Sequence, residues 1–102
     1  YLDFLWGCKM CQKVEIEKIL SILRGWKVVE GRNAIYKKFV FDDFKTCFDT
    51  MTKIALKAEE MNHHPEWLNV YNHLEITLTS HEKNEVTSYD FKLAQFIDSV
   101  IS

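Results

Sequence analysis

Between Phe44 and Met61 the apolar residues recur at helical spacing, and Pro65 stops that pattern from running on. Phe44, Phe48, Met51, Ala55 and Ala58 lie at intervals of four, three, four and three, and Cys47, Ile54 and Leu56 widen the stripe. Asp42 or Asp43 stands where a cap would accept bonds from the free N–H groups of the first turn. A proline pushes the residue before it out of the helical region. The helix is therefore expected to reach about Met61, with His63 and His64 at its exit, and beyond Pro65 the period changes from 3.6 to 2. Trp67 to Val70 reads as a short strand and Asn72 marks a break. Leu74, Ile76 and Leu78 then alternate with Glu75, Thr77 and Thr79, the signature of a half-buried strand.

The flanking segments fit the same plan. Residues 1–12 read as an irregular lead-in, and residues 13–102 as one domain. From Val14 a helical stripe runs through Ile16, Ile19, Leu20 and Leu23, and Gly25 ends it. Trp26–Val29 and Ala34–Phe41 form a hairpin about the turn Glu30-Gly31-Arg32-Asn33. Thr87-Ser88-Tyr89-Asp90 resembles a capping box with aspartate in place of glutamate. It opens a last helix striped by Tyr89, Leu93, Phe96, Ile97 and Val100. The order α-β-β-α-β-β-α predicts an α+β domain, a four-stranded antiparallel sheet with helices packed on one face. The open sheet face and edges are association surfaces, so a homodimer or homotetramer is expected.

Composition narrows the function. The 102 residues are 47% apolar, enough for a core without staples. Thirteen basic and fifteen acidic side chains leave a net charge of −2, which argues against a chain built to bind nucleic acid. No apolar run approaches the roughly 18 residues of a membrane span, and the apolar N-terminus lacks the basic region of a secretory signal. Three cysteines make no complete disulfide framework, so a reducing compartment, the cytoplasm, is expected. Cys8-x-x-Cys11 has half of a zinc-ribbon spacing, or a redox spacing, without the context either requires, and reads as two free thiols.

The histidines carry the chemistry. His63 and His64 sit at the exit of the long helix, and His81 at the end of the alternating segment. In an antiparallel sheet these two points can meet at one end. An unperturbed imidazole is roughly a quarter protonated at pH 7, so a cluster can hold one ring as acid and another as base. The plainer alternative is three solvated loop histidines. A metal site is not expected: adjacent histidines seldom point at one ion, and helical ligand pairs need i, i+3 or i+4 spacing. His73, on a strand among polar neighbours, reads as solvated.

Glu59-x-x-x-His63-His64-Pro65, followed by Tyr71, His81 and Asp90, resembles the signature of the pterin-4a-carbinolamine dehydratases. The run from His63 to Asn72 is closely similar to that family, as are Gly25-Trp26, Glu30 to Ile35, Asp43-Phe44 and Ile76-Thr77-Leu78. The likeness extends from about Leu20 to the C-terminus. Asn62 and Asn33 stand where the family often has aspartate. The resemblance implies dehydration of 4a-hydroxytetrahydrobiopterin to quinonoid dihydropterin plus water in tetrahydrobiopterin recycling, with the pterin as substrate and no metal or redox cofactor. It implies His63 and His81 as the acid–base pair on either side of the ring, with His64 orienting the pterin and sharing in catalysis. Asn62, Thr79, Ser80 and Glu82 would line the site, Pro65 and Trp67 would shape it, and Glu59 and Asp90 would orient imidazoles from behind. The family is also similar to an animal transcriptional coactivator, which would make the chain a protein-binding module acting through the helix that carries Cys47, Phe48 and Met51, with a nuclear location also open.

Overall fold

The structure, a computed structural model, describes residues 16–101. The lead-in, with Cys8 and Cys11, lies outside the described residues. Three helices and four strands follow in the predicted order: α1 (Ile16–Ile22), β1 (Lys27–Val28), β2 (Ile35–Val40), α2 (Phe44–Met61), β3 (Glu66–Val70), β4 (His73–Leu78) and α3 (Ser88–Ile101). No described helix is long and apolar enough to cross a membrane.

Two hairpins build the sheet, and they join through their second strands to give the order β1-β2-β4-β3, antiparallel throughout. The β2–β4 register runs from Ile35 opposite Leu78 to Val40 opposite His73. The β3–β4 hairpin closes over Tyr71-Asn72, with Tyr71 at φ 52. Asn72 then stitches this turn to the end of β2: its carbonyl accepts from the Phe41 N–H and its amide donates to the Phe41 carbonyl, both at 2.8 Å.

Alternation along the strands sorts the faces. Ile35, Phe39, Leu74, Ile76 and Leu78 point to the helical side and meet Ile19, Leu23, Cys47, Met51, Ile54, Leu93 and Ile97 in one core. The opposite face is open and mixed. Tyr36 donates to Glu75 across it at 2.8 Å, which pushes the phenol's pKa up, and His73 lies there half-buried.

Two local expectations are corrected. The first strand is Lys27–Val28 rather than Trp26–Val29. Trp26 leaves the ladder because its ring is buried against Phe39 while its indole N–H reaches the Asp98 carboxylate at 3.1 and 3.3 Å. The buried face of α2 is Cys47, Thr50, Met51, Ile54 and Ala58. Phe44, Phe48 and Leu56 instead stand 46%, 51% and 69% exposed, and Ala55 is exposed with them. The sheet meets the narrower side of a stripe that is wider than the core it covers. The end of α2 at Met61 is as expected, and Asn62 is the residue that closes it. Asn62 adopts the left-handed conformation (φ 53), which asparagine tolerates better than most residues. At the other end Asp43 is the cap, accepting from the Thr46 N–H at 2.8 Å, which holds its carboxyl below the usual range.

Candidate active site

Three chain segments converge at one end of the sheet, each ended by its own local chemistry. At the exit of α2, the Asn62 N–H bonds the Glu59 carbonyl at 3.1 Å and the His63 N–H bonds the Ala58 carbonyl at 3.0 Å. This is a Schellman pattern, and it turns the chain so that His63 follows the helix directly. At the end of β4, Thr79 donates its hydroxyl to the Asn33 carbonyl at 2.8 Å. Ser80 accepts from the N–H groups of Lys83 and Asn84 at 3.0 and 2.7 Å, closing a tight turn that carries His81 and Glu82. At the start of α3, Asp90 reaches back to the Thr87 N–H at 2.9 Å, the capping-box contact expected for glutamate.

Asp90 is fully buried and joins the three segments. Besides the Thr87 N–H, it accepts the Ser80 hydroxyl at 3.0 Å and faces His63 Nε2 at 2.6 Å. Ser80 Oγ and Thr87 Oγ1 lie 2.6 Å apart. The Ser80 proton is committed to Asp90, so the Thr87 hydroxyl is the donor between them. Tyr89 stacks on the His63 ring at 5.4 Å between centroids, with 26° between planes.

The other two imidazoles are backed in the same way. His64 Nε2 lies 2.8 Å from Glu59 Oε1, and His81 Nε2 lies 2.7 Å from Glu66 Oε2. A carboxylate only accepts, so in each neutral pair Nε2 carries the proton and Nδ1 keeps the lone pair. Glu66 in turn takes a bidentate bond from Arg32, NH1 to Oε1 at 2.9 Å and NH2 to Oε2 at 2.8 Å. The Arg32 bonds first, and the His81 bond after them, hold the Glu66 carboxyl down at about 2 from an ordinary 4.5.

A cleft of about 350 Å³ opens between these segments. Of the residues expected at the site, Asn62, His63, His64, Ser80, His81 and Glu82 line it. Glu59 and Asp90 stand behind the histidines. Pro65, Trp67 and Thr79 are not among the lining residues. Pro65 leads into the edge strand β3, where its missing N–H costs no ladder bond. Trp67 pairs with Ile76 and packs against the core, and the Thr79 side chain is occupied by Asn33. Four further residues line the cleft without having been singled out for it: Met61, Lys83, Thr87 and Tyr89. Tyr89 reads as core in the helical stripe, and only its place one residue before Asp90 hints otherwise. Arg32 and Glu66 were also missed as a pair, since 34 positions separate them.

A sheet end with three carboxylate-backed imidazoles around a cleft equips a small α+β domain for proton transfer on a bound small molecule. The model of the pterin 4 alpha carbinolamine dehydratase family matches residues 9–100. A relative from Paraburkholderia xenovorans, named among the pterin-4-alpha-carbinolamine dehydratases, is 53% identical over 81 residues, covering 79% of this chain and 84% of the relative. One of the same name from Burkholderia pseudomallei is 52% identical over 81 residues, covering 79% and 80%. The crystal structure of a transcriptional coactivator/pterin dehydratase from Brucella melitensis superposes with a TM-score of 0.87 at 39% identity, covering 89% of this chain and all of that one. The chain belongs to the pterin-4a-carbinolamine dehydratase family, a family of hydro-lyases.

The Glu66 contacts set an acid limit on stability. Because the folded carboxyl titrates below its ordinary value, its contribution is present above about pH 4.5 and is lost as pH falls toward about 2. In denaturant unfolding, wild type should exceed Glu66→Gln in stability at neutral pH, and the two should converge on acidification. Parallel curves across that range would contradict the pairing.

Proposed function

We propose that this chain dehydrates a 4a-hydroxytetrahydropterin to the quinonoid dihydropterin by histidine general acid/base catalysis, as a step in tetrahydrobiopterin recycling. The observation that carries the reading is the set of three carboxylate-backed imidazoles around one cleft, in a chain of this family. The reaction needs a proton delivered to the C4a hydroxyl, so that the C–O bond breaks and its electrons leave with water. The N5 lone pair forms the C=N bond, and the N5 proton passes to a base. One proton is given and one is taken, and the step balances without an oxidant or reductant.

His63 and His81 suit this exchange as the acid–base pair. Each is held by a carboxylate that is itself held: Asp90 by Ser80 and Thr87, and Glu66 by Arg32. A fixed partner keeps the ring in one tautomer and one orientation, and supports the charge when the ring is protonated. His64 leans on Glu59, which is exposed and has no second partner among the described residues. Its role is to bind and orient the pterin, with a smaller share in proton transfer. Asn62, Ser80 and Glu82 supply polar contacts for the ring edges. The test is a dehydration assay with freshly generated 4a-hydroxytetrahydropterin, comparing wild type with His63→Ala/His81→Ala. Positioned acid–base groups are worth about 10²–10⁴-fold each, so the double variant should fall nearly to the uncatalysed rate. Near-normal turnover would overturn the assignment.

A second property rests on the outer face of α2. Phe44 and Phe48 stack there at 5.7 Å between centroids, and Leu56 continues the exposed apolar stripe two turns on. We infer that this face binds a second copy of the chain, and that a protein-binding role of the coactivator kind would use the same surface. Sedimentation should give an oligomer for wild type and a smaller species for Phe48→Glu, with dehydration retained. A wild type that stays monomeric at micromolar concentration would contradict self-association.

A further inference from the structure

We propose that Arg32 and Glu66 form a positioning relay for His81, fixing which ring nitrogen that histidine presents in the cleft; the inference rests on the dehydration proposed above. An exposed ion pair at the end of a sheet usually contributes little, and Arg32 and Glu66 are 42% and 38% exposed. Three features set this pair apart.

The first is geometry. Both guanidinium nitrogens engage both carboxylate oxygens, a fork-to-fork arrangement that fixes the plane of the carboxylate as well as its position. A lysine offers a point charge and would leave that plane free to turn. The second is sharing. Glu66 Oε2 takes the Arg32 bond and the His81 Nε2 bond at once, at 2.8 and 2.7 Å, so the orientation of the guanidinium passes directly to the imidazole. The low carboxyl pKa of Glu66 keeps the acceptor ionised across the working range.

The third is how the relay is anchored. Arg32 lies in the β1–β2 turn, where its N–H bonds the Val29 carbonyl at 3.1 Å and Gly31 supplies a φ of 81. The next residue ties that turn to the His81 segment twice. The Asn33 carbonyl accepts from Thr79, and the Asn33 amide donates to the Asn84 carbonyl at 3.2 Å. Arg32 and His81 thus stand on two turns locked to each other, with Glu66 spanning the gap from the first position of β3. Asp90 does the same work for His63 from inside the protein, where Ser80 and Thr87 hold it. Outside, where water competes, Arg32 takes the place of burial.

The test pairs imidazole NMR of the ligand-free protein with steady-state dehydration kinetics in Glu66→Ala, Arg32→Ala, Arg32→Lys and Glu66→Ala/Arg32→Ala. Glu66→Ala should lose the uniform Nε2–H tautomer of His81, with His63 unchanged, and should lower kcat about ten- to a hundredfold with little change in KM. Arg32→Ala should fall in the same direction by less, Arg32→Lys should recover only part of that loss, and the double variant should be no worse than Glu66→Ala alone. An unaltered His81 tautomer in Glu66→Ala, losses that add in the double variant, or an effect confined to KM would overturn the relay. A wild type without dehydratase activity would overturn the proposed function instead, and the tautomer comparison would then decide the relay by itself.

Discussion

The Asp90 carboxylate, with none of its surface exposed, holds the working end of this protein together. Removing a carboxylate from water costs several kcal/mol unless donors replace the lost hydration. Here the Thr87 N–H, the Ser80 hydroxyl and the His63 ring do so, and each belongs to a different segment. The start of α3, the exit from β4 and the exit from α2 are therefore bound to one group. Two of these contacts are structural and the third is chemical, so the cap that begins a helix also orients an imidazole. Losing Asp90 would leave donors from three segments unsatisfied together, a far larger disturbance than losing an ordinary cap.

The same principle is repeated with different materials around the cleft. Each cleft histidine has a carboxylate on Nε2, but the three carboxylates differ in how firmly they are held. Asp90 is buried and held by partners from three segments, Glu66 is exposed but clamped by Arg32, and Glu59 is exposed on the last turn of α2. In the proposed mechanism, that gradient separates the two rings assigned to moving protons from the one assigned to holding the substrate. It arises from the sheet order β1-β2-β4-β3, which brings the β1–β2 turn, the start of β3 and the end of β4 to one end.

Sequence patterns read the fold well because its signals are local. Alternation in β4, the stripes of α2 and α3 and the turn residues each depend on neighbours a few positions away. The α+β order and antiparallel pairing follow from them. The errors came where two local signals competed. The apolar stripe of α2 is wider than its core contact, so periodicity alone favoured Phe44 and Phe48 over the buried Thr50. The end of α2 at Met61, by contrast, was legible, because the apolar stripe runs out there ahead of Pro65. At the site, the family signature marks the histidines together with Glu59 and Asp90, whereas the Arg32–Glu66 clamp exists only once the sheet is assembled. Tyr89 was hidden for another reason: an aromatic at helical spacing reads as core, and its stacking on His63 depends on where α2 ends.

The central claim is that three imidazoles, each with Nε2 on a carboxylate, present Nδ1 to a pterin in one cleft. Imidazole NMR of isotope-labelled histidines in wild type, recorded before and after a stable dihydropterin is added, tests it most directly, with His73 on the open sheet face as an internal reference. The account predicts Nε2–H tautomers at His63, His64 and His81 in the free protein, and perturbation of their Nδ1 resonances by the pterin while His73 is unmoved. Nδ1–H tautomers at His63 and His81, or a pterin response at His73 without one in the cleft, would contradict it.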